Sequence, residues 1–239
     1  MYELYLLRYH CYMELLTTNA VARELGISPV AVRRMVSSGR LPATKVGASL
    51  AFEPAAVYRV QREERKVGRL WSPATAWAAI EMLSGIKTEL IDQPRRSRLA
   101  DKIRTLDADE FHRLARGRAA VKRFHASPRA SERLARLIKP SGVSAVAGKS
   151  RANRFGLAGV RRETRIEGYW GGEIEELLSR VPMQTDAGGN VVLRLAAATL
   201  TGSAVGTDVL VALDLMDSDD VRERGAGRRI LDGALDHGR

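Results

Sequence analysis

Along residues 18–61 the apolar positions change period in a fixed order. Val21, Ala22 and Leu25 recur at helical spacing and stop at Gly26, a residue suited to the left-handed end of a short helix. Ile27 then precedes Ser28-Pro29, a side-chain oxygen for an N-cap followed by the residue best tolerated at the first helical position. A second helix therefore starts here, with Val32, Met35 and Val36 on its core face and Pro29, Val30, Arg33 and Arg34 turned away from it. It ends at Ser37-Ser38-Gly39. Arg40 to Gly47 reads as an extended segment running to a glycine turn, Leu50-Ala51-Phe52 returns, and Glu53-Pro54-Ala55 opens a third helix through Gln61. The pattern predicts two short helices, a two-stranded wing and a closing helix.

Beyond this the periods loosen. Residues 62–69 are charged and glycine-ended, as the end of a helix or a linker would be. Ser72-Pro73 repeats the cap signal ahead of Ala76, Ile80 and Leu83, with Trp71 and Trp77 placed to pack that helix on a neighbour and Gly85 to stop it. Residues 95–123 alternate basic and apolar side chains in two helical stretches, with Asp107 as a cap between them. In the last hundred residues Val143–Val146, Ile166–Trp170, Val191–Leu195 and Val209–Leu213 read as strands, and the Asp186-Ala187-Gly188-Gly189-Asn190 cluster reads as a turn. Glu173–Arg180 and Asp219–Leu235 read as helices. The expected fold class is α+β in three parts: a winged helix-turn-helix within residues 1–66, a basic helical domain over 67–140, and a small α/β domain over 141–239.

Charge follows the same division. Residues 1–139 hold 26 Lys and Arg against 14 Asp and Glu, a net +12, and residues 140–239 hold 13 against 14, a net −1. Such an excess concentrates a polyanion and releases its counterions, so the first part suits nucleic acid and the last does not. An arginine-rich composition, 32 of the 39 basic residues, accounts for some of the excess. The basic run Arg113, Arg116, Arg118, Lys122 and Arg123 is placed to follow a DNA backbone or to face an acidic protein.

Signs of catalysis are few. Cys11 is alone and no close His or Cys pair has zinc spacing, which points to a reducing, cytoplasmic compartment with neither metal nor cofactor. No run approaches the length of a membrane span, and either Met1 or Met13 suits a start. Gly148-Lys149-Ser150 lacks the glycine that a phosphate loop needs at position 143. Asp214, Asp217, Asp219 and Asp220 surround Ser218, which is placed to cap the last helix, and His10, His112, His125 and His237 are scattered. The chain reads as a binding protein rather than an enzyme.

The chemistry is carried by the second helix. Arg33 and Arg34 stand on its exposed face, and arginine pairs bidentately with guanine O6 and N7 in the major groove. Ser28, Pro29 and Val30 lie at its N-terminus, where free amides suit a phosphate, and Arg40 and Lys45 lie on the segment that follows. The stretch TTNAVARELGISPVAVRRMVSSGRLPATKVG with LAFEPAAVYRV resembles the excisionase/MerR-type helix-turn-helix family over about residues 16–60. It departs from that pattern after the wing glycine, where Ala48-Ser49-Leu50 replaces the arginine or aromatic that members often carry. The resemblance implies binding to double-stranded DNA at the protein's own promoter.

The far end, VLVALDLMDSDDVRERGAGRRILDGAL, together with this start resembles long actinobacterial VapB-type antitoxins. That likeness implies a partner, a VapC-type PIN-domain ribonuclease, blocked by arginines laid against its carboxylate cluster; Arg222, Arg224, Arg228 and Arg229 are the candidates. The antitoxin of a nucleotidyltransferase toxin is the neighbouring possibility, and a ligand-responsive or phage-derived transcription regulator is the alternative outside that class. A helix-turn-helix of about 45 residues makes few contacts alone, so a homodimer is expected, with Trp71, Trp77 and the helix of residues 73–84 either forming its surface or packing within the chain.

Overall fold

The computed structural model describes residues 15–64, 70–158, 165–201 and 203–237. His10, Cys11, the alternative start at Met13 and the second half of the expected linker lie outside them. The chain divides into two compact units, one reaching Lys66 and the other formed by Val67–Thr185 and Gly189–Arg239.

The first unit follows the sequence pattern closely. Strand β1 (Leu16–Thr17) leads into α1 (Thr18–Leu25), whose first turn is capped by Thr17 and whose end is set by Gly26 at φ 65°. Helix α2 (Pro29–Ser37) begins at Ser28, whose Oγ accepts the Ala31 amide at 3.2 Å. The hairpin of β2 (Thr44–Val46) and β3 (Ser49–Phe52) turns at Gly47-Ala48, and α3 (Pro54–Glu64) closes the unit. Strand β1, which the apolar pattern did not reveal, pairs antiparallel with β3 and completes a three-stranded sheet. Val21, Val32, Met35, Leu41, Phe52, Val57 and Val60 form the core. Burying the core face of so short a helix holds it where propensity alone would not.

The second unit is built on a five-stranded sheet in the order β5-β6-β8-β4-β7. Its strands are β4 (Ala120–His125), β5 (Lys139–Pro140), β6 (Ile166–Trp170), β7 (Gln184–Thr185) and β8 (Val191–Leu195). Strands β6 and β8 are parallel and every other pair is antiparallel. Ahead of the sheet come α4 (Pro73–Leu83), α5 (Gln93–Ile103), α6 (Ala108–Leu114) and a 3₁₀ turn (Ala115–Arg118). Between its strands lie α7 (Pro128–Ala135), α8 (Gly142–Ala145), α9 (Lys149–Arg154) and α10 (Ile174–Arg180). After it follow α11 (Ala198–Thr201), α12 (Asp208–Met216) and α13 (Val221–His237).

Alternation along the strands sorts their side chains between two cores. Phe124, Val191 and Leu193 meet α7 and α10 through Leu134 and Leu177. Tyr169 joins the larger core of Trp77, Ile80, Phe111, Leu210, Leu213 and Leu231, where α4, α6, α12 and α13 meet. Gly227 lets α13 approach α12 closely, because a Cβ there would collide with the Ala212 carbonyl oxygen.

Four expectations are corrected here. Residues 67–140 and 141–239 are not separate domains: β4 lies in the same sheet as β6 and β8, pairing with β8 from Ala120 opposite Leu195 to Phe124 opposite Val191, and Trp77 shares a core with Leu210. The central segment is not wholly helical either, since its second basic helix stops at Leu114 and Lys122 and Arg123 belong to β4. Val209–Leu213 and most of Val143–Val146, up to Ala145, are helical rather than extended, and Val146 is the C-cap of α8; the first run is apolar throughout because α12 is buried on all sides. Trp77 is fully buried, its Nε1 donating to the Arg118 carbonyl at 2.8 Å, so it forms no surface for self-association. Trp71 packs edge-on against Phe111.

Candidate nucleic-acid interface

Helix α2 is fixed by one face and leaves the other exposed. Val32 and Met35 are buried beneath it, whereas Val30 is 61% exposed and Arg33 and Arg34 face solvent beside it. Ser28 is spent as the N-cap and Pro29 has no amide to offer, so the exposed chemistry of this helix is two guanidiniums and one apolar contact. Neither Arg33 nor Arg34 makes an ion pair with the described residues. A planar guanidinium held on a rigid helix, with no carboxylate to satisfy it, is equipped for a base edge or a phosphate.

The remaining residues lie near in the same unit. After α2, Gly39 adopts φ 71° and the amides of Arg40 and Leu41 both return to the Met35 carbonyl, at 2.9 and 3.2 Å, which turns the chain toward the hairpin. Arg40 is exposed at that turn. Lys45 is exposed on β2 opposite Leu50, and the hairpin tip itself offers only Gly47, Ala48 and Ser49. At that end Lys45 and the 56%-exposed Val46 are the side chains with reach.

Residues 15–65 match the family model of a helix-turn-helix domain. The match supports a helix-turn-helix of the excisionase-like kind and, with it, a DNA-binding regulator. No curated protein and no solved structure matches the chain. No described helix is long and apolar enough to cross a membrane.

The four C-terminal arginines are not gathered into one exposed set. Arg222 is exposed on the first turn of α13. Arg224 donates to the Ser218 and Asp219 carbonyls at 3.0 and 2.8 Å, Arg228 lies 2.9 Å from Asp109, and Arg229 donates to the Phe155 carbonyl at 3.2 Å. The cap of α13 is Asp220 rather than Ser218: its Oδ1 accepts the amides of Arg222 and Glu223 at 2.6 and 3.2 Å. Ser218 instead accepts the Asp220 amide and donates to Glu223.

Another charged cluster lies inside the second unit, its members too far apart in the chain for spacing to pair them. Arg118 Nη2 donates to Asp214 Oδ1 at 2.7 Å and Asp217 Oδ2 at 2.6 Å, and its Nε donates to the Tyr169 hydroxyl at 3.2 Å. His112 Nε2 lies 2.7 Å from Asp217 Oδ1. Arg194 Nη1 reaches Glu167 at 3.1 Å, and Arg165 bridges Glu167 and Glu223. Burial acts against ionisation of Asp217, but Arg118, then His112, override it and hold the carboxyl well below its usual range. Burial, with Asp214 adding to it, pushes the Tyr169 hydroxyl far above its usual range, so it stays a proton donor. This cluster ties α12 to the sheet and to the 3₁₀ turn. Among the described residues no group of three or more His, Cys, Asp or Glu is placed to hold a metal.

Proposed function

We propose that the protein is a transcription regulator, not an enzyme, that reads double-stranded DNA at its own promoter by setting α2 in the major groove and the β2–β3 hairpin against the backbone as a wing. The observation that carries this is the placement of Arg33 and Arg34, without carboxylate partners among the described residues, on the exposed face of a helix whose other face is locked into the core. Arg40 and Lys45 then serve as phosphate contacts, which position the helix without carrying sequence information. Two copies binding together would double an interface that is small for one module, so the reading includes a homodimer and a palindromic or repeated site. Selection of bound sequences from a randomised duplex pool tests it. Recovery of one enriched motif that also occurs upstream of the gene is expected; recovery of no motif refutes it.

The finer reading is an antitoxin that neutralises a PIN-domain ribonuclease. Its support is the first turn of α13, where Val221, 72% exposed, stands beside exposed Arg222 as an apolar anchor next to a charge. Coexpression with a PIN-domain product encoded next to the gene tests this: protection that is lost in Val221→Asp and Arg222→Glu supports it. If no such gene adjoins, the stand-alone regulator is the better description.

A further inference from the structure

The second unit carries positive charge that the helix-turn-helix does not use. The sequence run from Arg113 to Arg123 is not where it lies, because Arg118 is buried against Asp214 and Asp217 and Arg123 is 3.8 Å from Asp219. Nor is it α7, where Arg129 and Arg133, with Arg136 at its C-cap, share their surface with Glu132, and α10 on the same face of the sheet is capped by Glu173 and carries Glu175 and Glu176.

Helix α5 is different. Only Leu99 and Ile103 on it are buried. Arg95, Arg98 and Lys102 are exposed, and at 100° per residue they fall within about 60° of one another on one flank of the helix. Arg98 and Lys102 make no ion pair among the described residues, and Arg95 meets Asp92 only at 3.4 Å with both side chains more than half exposed, a contact that solvent weakens. The other carboxylate on the helix, Asp101, is paired with Arg104 at 2.6 Å. From Arg95 to Lys102 the row spans about 10 Å of helix axis, a length over which one DNA strand presents about three phosphates. None of the large exposed apolar side chains lies on α5, so the face lacks the anchors that a protein interface is built around. A row of cations without apolar anchors suits phosphates.

We propose that the Arg95–Arg98–Lys102 face of α5 is a second, sequence-independent DNA contact that grips backbone phosphates outside the bases read by α2. The proposal rests on the DNA-binding reading above. It assigns the second unit a direct share in operator affinity and in its salt dependence.

The test uses the full chain and the duplex selected above, in one version trimmed to the motif and one with long flanks, with affinity followed by fluorescence anisotropy from low to high salt. The triple variant Arg95→Ala, Arg98→Ala, Lys102→Ala changes only exposed side chains. Its slope of log affinity against log salt should be smaller by about 2 to 3 on the flanked duplex, at about 0.9 per phosphate released. The selected motif should stay the same and the advantage of long flanks should disappear. A variant that matches the wild type in slope and affinity overturns the proposal while leaving the helix-turn-helix reading intact. A variant that keeps the slope but loses a copurifying protein makes α5 a protein surface and equally overturns it. A wild type that binds neither duplex defeats both readings.

Discussion

Arg118 and Asp214 are separated by 96 positions in the chain, yet the Arg118 Nη2 atom lies 2.7 Å from Asp214 Oδ1. Their side chains are 3% and 0% exposed. A pair this deeply buried contributes to stability only while both partners are present, because either charge alone is left without solvent or counterion. Arg118→Met should therefore destabilise the second unit by about 3 to 5 kcal/mol, and pairing it with Asp214→Leu should restore part of the loss. Trp71, Trp77 and Trp170 all lie in this unit, so urea denaturation followed by tryptophan fluorescence reads it selectively. A single variant no less stable than the wild type would show that the ionic cluster is dispensable.

Acid should unfold this unit through Asp217. Its native carboxyl is held well below the ordinary value by Arg118 and His112 against the opposing effect of burial, so the native state binds its proton less readily than the unfolded chain. The resulting stability is complete above about pH 4 and is lost as pH falls through the native value. Glu223 acts in the opposite sense, because burial raises its carboxyl and acidification there favours the folded state. Denaturation midpoints measured from neutral to strongly acidic pH should fall less steeply for Asp217→Asn than for the wild type. Parallel acid profiles would remove Asp217 from the account.

The shared sheet predicts which fragments fold. A chain cut at residue 140 keeps β4 but loses β8, its partner over five residue pairs, and β7 on its other edge. It also loses Leu210 and Leu231 from the core around Trp77. Residues 70–140 should be unfolded by circular dichroism, and residues 70–239 should melt cooperatively. A fragment ending at Lys66 keeps the first unit's core intact and should retain weakened, salt-sensitive DNA binding. Cooperative melting of the 70–140 fragment would restore the boundary near residue 140.

Legibility in the sequence followed the range of the interactions. Ser28-Pro29, Ser72-Pro73 and Asp107 announced three helix starts because a cap bonds within three residues, and Asp107 closes a full capping box with Glu110. The bounds of β6 and β8 were readable for a similar reason, since β-branched and aromatic runs ended at glycines and turns. Val209–Leu213 reads as a strand and folds as a helix because a run buried on every side has no amphipathic period to separate the two. The basic side chains of β4 concealed a strand whose partner lies about 70 residues away. Of the candidate DNA contacts, Arg33 and Arg34 were visible from helical spacing alone, whereas the flank of α5 required knowing which nearby carboxylates were already paired.

The central claim is that α2 reads bases through two guanidiniums, and replacing both tests it most directly. Arg33→Ala with Arg34→Ala removes exposed side chains that take no part in the core, so the helical signal and the unfolding midpoint should stay unchanged. Each bidentate base contact contributes roughly 1–3 kcal/mol of discrimination, so affinity for the selected site should fall on the order of a hundredfold or more. Binding to unrelated duplex should fall far less. A footprint and affinity equal to those of the wild type, in a variant that remains folded, would contradict the assignment of α2 as the reading helix.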